Sequence, residues 1–226
     1  RVRIFFILFN VLIMLSPQKS HKMTNKITSI LGGYDINIVA APYQVNFGDI
    51  CGGVIIADHW ILTSAHCKSD FIRTGSKYRL KGRKIYIKSR FIHPLYRQEH
   101  FFDYDVQLLE LEERLKFGRT VSAIAISDGS CGDDVFVNGW GFSKEKVFLN
   151  VSDTKFKIGA KLLEHIPVTE FNIVCSLQGD SGGGAVSYRH LVGISSFGFG
   201  CGRMPGVYIN VSSPNIQLWI RRYTGI

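Results

Sequence analysis

Acidic residues are scarce in two places. None precedes Ile30, and between Lys68 and Arg97 ten Lys and Arg residues meet one acid, Asp70. Hard cations need oxygen ligands, so the second stretch is no calcium loop. Apolar runs are short: the one from Ile4 to Leu15 covers twelve residues and includes Asn10, against the roughly 20 that cross a bilayer. No His, Cys or carboxylate spacing of a metal site occurs, and neither a metal nor any other cofactor is expected. Low-complexity tracts are missing too, which removes the fibrous and disordered classes. No long amphipathic helical pattern appears among the short strands from Tyr43 to about Leu115, so a helical bundle is not expected there.

Charge, once located, is ordinary. Of the formal +9, five charges (Arg1, Arg3, Lys19, Lys22 and Lys26) fall before Ile30, leaving +4 on the rest. Nucleic-acid binding is therefore not expected. Arg1 and Arg3 precede the apolar run, and polar Ser16-Pro17-Gln18-Lys19-Ser20 follows it. That order reads as a secretory signal peptide over residues 1–20, with a secreted, extracellular product and no membrane attachment after its removal. Five cysteines fit an oxidising compartment. With 226 residues, 46% of them hydrophobic, there is apolar matter for one domain or two closely joined halves.

Short strands are expected at Tyr43–Phe47, Gly53–Ile56, Trp60–Thr63, Lys84–Ile87 and Gln107–Leu111, with turns rich in Gly, Asp and Ser between them. A second set includes Val135–Asn138, Leu191–Ser195 and Gly206–Asn210. Regular short strands argue for an all-β barrel or sandwich. The end of the chain, Ser213 to Tyr223, reads as a helix: Pro214 suits its first turn, and Ile216, Trp219, Ile220 and Tyr223 share one apolar face.

The chemistry concentrates in Gln178-Gly179-Asp180-Ser181-Gly182-Gly183-Gly184. Glycines let the backbone turn tightly, so the N–H groups of Gly179 and Ser181 can converge on a developing oxyanion. A serine hydroxyl needs a base, and Thr63-Ser64-Ala65-His66-Cys67 supplies His66; Asp103-Tyr104-Asp105-Val106 supplies a carboxylate, Asp105, to orient it. Each residue also has a structural explanation: a satisfied core histidine, a strand-end aspartate, a turn serine.

The order His66, Asp105, Ser181 resembles that of the trypsin/chymotrypsin family of serine proteases. The resemblance extends through Ile30-Leu31-Gly32-Gly33, Cys51-Gly52-Gly53, Asn138-Gly139-Trp140-Gly141 and Pro205-Gly206-Val207-Tyr208. The bond Ser29–Ile30 and the run Ala41-Pro42-Tyr43-Gln44-Val45 look most like the trypsin-like allergens of mites and their diverged paralogues. The resemblance implies two antiparallel six-stranded β-barrels with a C-terminal helix, in a domain over residues 30–226. It makes residues 21–29 a propeptide, whose removal lets the Ile30 amine pair with Asp180 and order the oxyanion loop. It pairs Cys51 with Cys67. Cys201 lacks its usual partner, since Leu177 stands there; Cys175 is the alternative partner, and that pairing leaves Cys131 over. Ser196 matches the serine that hydrogen-bonds the aspartate.

Departures from the family gather around the specificity pocket. The span from Trp140 to Ser181 and the segment Gly202-Arg203-Met204 are both short, and Gly184 stands where a proline is usual, loosening the backbone. Phe197 replaces a tryptophan that forms the substrate platform. Cys175 falls where trypsins keep the pocket-floor aspartate, so cleavage after Lys or Arg has no visible anion to support it; Gly198 and Gly206 keep an apolar pocket feasible. The basic stretch 68–97 reads either as a solvated strand face or as an exosite, including Arg79, Lys81, Arg83 and Lys84, for an acidic protein or a glycan. Two functions are compatible with these residues: a secreted endopeptidase acting on proteins or peptides with altered specificity, and a catalytically impaired homologue that binds proteins.

Overall fold

The computed structural model describes residues 34–99, 101–129, 134–140, 157–162, 181–198 and 206–226. Within them twelve strands and one α-helix follow in chain order. Strands β2 (Gln44–Phe47), β3 (Cys51–Ala57), β4 (Trp60–Thr63), β5 (Phe71–Thr74), β6 (Arg83–Ile92) and β7 (Gln107–Leu111) close into a barrel of order β2-β3-β4-β7-β6-β5. Closure leaves no unpaired edge, which suits a set of strands this short. Strands β1 (Tyr34–Asp35), β8 (Asp134–Gly139), β9 (Lys157–Leu162), β10 (Gly184–Ser187), β11 (His190–Gly198) and β12 (Gly206–Asn210) form a second antiparallel sheet of order β1-β9-β8-β10-β11-β12. Two barrels were expected; among the described residues one ring closes and the other six strands run from edge to edge.

Local chemistry explains the first barrel. Gly48 and Asp49 both have positive φ, 63° and 62°, in the three-residue loop, 48–50, that joins β2 to β3. Val45, Phe47, Ile55, Ile61, Ile72, Ile85 and Leu109 point inward and are at most 1% exposed. A second cluster joins the halves: Val54 and Leu62 of the barrel pack with Leu191 and Ile194 of β11 and with Trp219 and Ile220 of the helix. Burying such side chains stabilises by about 1.5–3 kcal/mol each, so this shared cluster holds the two sheets together.

The helix α1 (Pro214–Thr224) has Pro214 in its first turn and ends at Gly225, whose φ of 75° places its N–H on Arg221 O. Ile216, Trp219 and Ile220 are buried as the apolar face requires. Tyr223 is 41% exposed instead, with its ring against Phe91 at 4.6 Å.

The basic stretch departs from expectation in two ways. It contains a whole strand, β5, that was not foreseen, and β6 is longer than Lys84–Ile87 at both ends. Arg79 is no exosite residue: it is 4% exposed, and its Nε donates to Asp49 O at 2.6 Å. Gly184 does not loosen the backbone either. It opens β10, and a Cβ there would lie 2.8 Å from Val54 Cγ2 and 3.0 Å from Leu191 Cδ1, so close packing between the halves leaves space for glycine alone.

Candidate active site

Strand register brings two of the three expected groups together. Thr63 of β4 lies opposite Gln107 of β7. The chain therefore leaves β4 toward His66 and enters β7 from Asp105 at the same end of the same pair. The local loop is tied down from several sides. Gln107 Nε2 donates to Ser64 O at 2.7 Å and to Cys67 O at 2.8 Å. A disulfide joins Cys67 to Cys51 on β3, as the family resemblance implied.

Asp105 is fully buried and His66 is 27% exposed. The His66 ring Nδ1 is 2.7 Å from Asp105 Oδ2, and the His66 backbone N–H donates to Asp105 Oδ1 at 2.9 Å. Ser196 Oγ donates to the same Oδ2 at 2.5 Å. An ionised carboxylate only accepts, so Nδ1 carries a proton toward it, which leaves Nε2 as the ring nitrogen turned away from Asp105. Burial pushes the Asp105 carboxyl upward, and this is the largest influence. The hydrogen bonds from the His66 ring and Ser196, the nearby imidazole charge and the His66 N–H outweigh it together and hold the pKa below the ordinary aspartate value.

Ser181 arrives from the second sheet. Its carbonyl accepts from Gly52 N–H of β3 at 2.7 Å, and the N–H of Gly182 donates to Ser195 O at 2.7 Å. Gly182 has φ of 82°, and a Cβ on it would collide with Thr63 Oγ1 and Gly52 O. Glycine is required here because two barrel strands press against the turn. The Ser181 hydroxyl donates to Ser196 O at 3.5 Å, and Ser64 Oγ donates to Ser195 O at 2.5 Å. Near His66 Nε2 lies Cys67 Sγ at 3.6 Å. His66 and the sulfurs of Cys51 and Cys67 lie within 4.8 Å of one another, but the sulfurs are bonded to each other and offer no thiolate to a metal.

His66, Asp105, Ser181 and Ser196 thus share one seam. Gly198 and Gly206 face each other in register across β11 and β12. Ile30, Cys175, Gly179, Asp180 and Cys201 lie outside the described residues, as do Cys131 and the segments read as signal peptide and propeptide. Phe197 is covered by an unforeseen neighbour: the Phe102 ring stacks on it at 3.9 Å and 21°. Nothing in Phe101-Phe102-Asp103 announces that contact, which depends on the 101–105 loop folding toward β11. Gln107 was also missed; a polar residue inside an otherwise apolar strand, Val106 to Leu109, is the signal that could have found it.

A closed barrel and a second antiparallel sheet with such a seam define a trypsin-like serine protease domain. The family model described as Trypsin matches residues 30–220, and the chain belongs to that family. Trypsin epsilon of Drosophila erecta is 33% identical over 224 residues, covering 85% of this chain and 86% of its own. The vitellin-degrading protease of Bombyx mori is 32% identical over 224 residues, covering 84% of each chain. In the solved structures, mouse neuropsin, a serine protease, superposes with a TM-score of 0.72 at 24% identity, over 84% of this chain and 97% of its own. Neither of the sequence relatives is a mite protein, so the mite likeness stands on the sequence motifs alone.

Proposed function

We propose that this chain is a secreted serine endopeptidase that hydrolyses peptide bonds through Ser181, His66 and Asp105. The observation that carries the reading is the buried Asp105 carboxylate gripping the His66 ring while Ser196 links that carboxylate to the Ser181 turn. Ser181 Oγ attacks the scissile carbonyl carbon as His66 Nε2 accepts its proton. The imidazolium, stabilised by Asp105, then delivers that proton to the leaving amine; water, deprotonated by His66, releases the acyl group. The N–H groups of Gly179 and Ser181 hold the oxyanion.

Cleavage of Ser29–Ile30 precedes activity: the freed Ile30 amine pairs with Asp180, and the Ser181 hydroxyl turns from Ser196 O toward Nε2. Secretion rests on the residues 1–20 pattern, and among the described residues no helix is long and apolar enough to cross a membrane. Specificity differs from that of trypsin, because Cys175 stands where an aspartate would attract Lys or Arg and Phe197 forms the substrate platform with Gly198 and Gly206 beside it. A disulfide between Cys175 and Cys201 would brace that pocket.

A second function has its own observation. The Ser181 hydroxyl bonds a carbonyl, and the Phe102–Phe197 stack covers the platform, as in a protease-shaped module that only binds proteins. An active-site phosphonate separates the two. On chain cleaved at Ile30, labelling of Ser181 that vanishes in Ser181→Ala supports the enzyme; no labelling supports the binding module.

A further inference from the structure

We infer that the open end of the closed barrel seats a sulfate ester, and that β6 carries the rest of a sulfated polysaccharide chain. A cavity of about 270 Å³ opens there, lined by Thr74, Gly75, Gly82, Arg83, Lys116 and Thr120, among others. Thr74 is 5% exposed and its hydroxyl has no hydrogen-bond partner. A buried hydroxyl left unpaired is costly, so this one points to an acceptor that a ligand brings. Arg83 and Lys116 supply the charge. Arg83 Nη2 reaches Glu113 at 2.6 Å, and a guanidinium has further donors to spare. No lining residue is acidic. Cations and donors outnumber the one carboxylate at hand, Glu113, and together select an oxyanion.

The strand leading away from the cavity selects its carrier. Lys84, Tyr86, Lys88 and Arg90 are exposed at alternate positions of β6, about 7 Å apart along one face. Such a row, with cations at Lys84, Lys88 and Arg90 and Lys88 Nζ on Glu110 at 2.7 Å, suits an extended polyanion. The aromatic rings in it are taken: Lys84 Nζ lies over Phe71 at 4.0 Å and over Tyr86 at 4.6 Å. Single-stranded nucleic acid binds by stacking bases on free aromatic faces, and the Tyr86 ring here already carries Lys84. A protein partner would look for a largely apolar anchor pocket, whereas here Ile85, Leu115 and Val121 share the lining with Thr74, Arg83, Lys116 and Thr120. A thin, flexible, sulfated glycan needs neither.

The site stands apart from the hydrolytic one, so the test uses full-length Ser181→Ala protein on dextran sulfate, with neutral dextran and poly-glutamate as comparisons. Dextran sulfate is expected to bind with strong salt dependence and neutral dextran not at all. Thr74→Val should weaken binding several-fold with the melting temperature held or raised, since it removes an unpaired buried hydroxyl. Lys84→Ala with Lys116→Ala should flatten the slope of log K against log salt by about 0.7 for each cation removed. Unchanged affinity and slope in both variants would overturn the assignment. Equal affinity for poly-glutamate would overturn it in favour of an acidic protein.

Discussion

The two halves of the molecule hold their functional groups in different ways. In the closed barrel, His66 and Asp105 sit at the ends of paired strands, and the loop between them is fixed by Gln107 and the Cys51–Cys67 disulfide. In the second sheet, Ser181 is held by contacts made across the seam: Gly52 N–H on its carbonyl, and Gly182 wedged against Thr63. His66 and Asp105 are therefore positioned by one barrel. The position of Ser181, the proposed nucleophile, is a property of the junction, and a change there should disconnect the site without unfolding the barrel.

The sharpest way to break this contrast is Gly182→Ala. Positive φ and collision with Gly52 O and the Thr63 hydroxyl each cost about 1–3 kcal/mol. The expected outcome is a stability loss of about 3 kcal/mol or more, with phosphonate labelling of Ser181 abolished even below the melting temperature. Replacing Cys51 and Cys67 together by Ser tests the barrel side. Their separation of 16 residues predicts a loss of about 3 kcal/mol by chain entropy, read by denaturant unfolding, and a looser His66.

Smaller effects sharpen the comparison. Ser196→Ala removes one hydrogen bond from a buried carboxylate, so kcat/KM should fall by about tenfold. The Asp105 pKa should rise toward its ordinary value. Because that pKa is depressed in the folded state, the stability it contributes is present at neutral pH and lost as pH falls through the folded pKa. The variant should lose it at higher pH, measured by melting in acid. His93→Phe should have the least effect. His93 is buried, stacked on Tyr104 at 4.5 Å and edge-on to Trp219 at 5.0 Å, and burial lowers its pKa from 6.5. A lowered histidine pKa favours the fold above about pH 6.5 and withdraws that support as pH falls toward the folded pKa. With Phe the melting curve should flatten in that window, by up to about 1.4 kcal/mol per pH unit.

Much of this was legible in the residues. Strands β2, β4 and β7, helix α1 and the neighbours of Asp105 carry local patterns, and the Ser196 hydrogen bond was anticipated. Strand β5, Phe71–Thr74, was not, because charged Arg73 and a short apolar pattern disguise a strand whose neighbours lie far away in the chain. Arg79 read as surface from its charge, yet it is buried with its Nε on Asp49 O. Gly184 read as looseness, yet Val54 and Leu191 crowd it.

Sequence alone determined the family, the all-β class, the terminal helix and the three residues proposed to carry the chemistry, because turn residues, apolar alternation and short motifs are local properties of the chain. Only the tertiary structure decided that one set of strands closes while the other runs as an open sheet among the described residues. It alone set Phe102 against Phe197, required glycine at 182, and left the Thr74 hydroxyl unpaired in a cationic cavity. Those outcomes depend on which distant segments meet, and packing and hydrogen-bond satisfaction are settled only at such meetings.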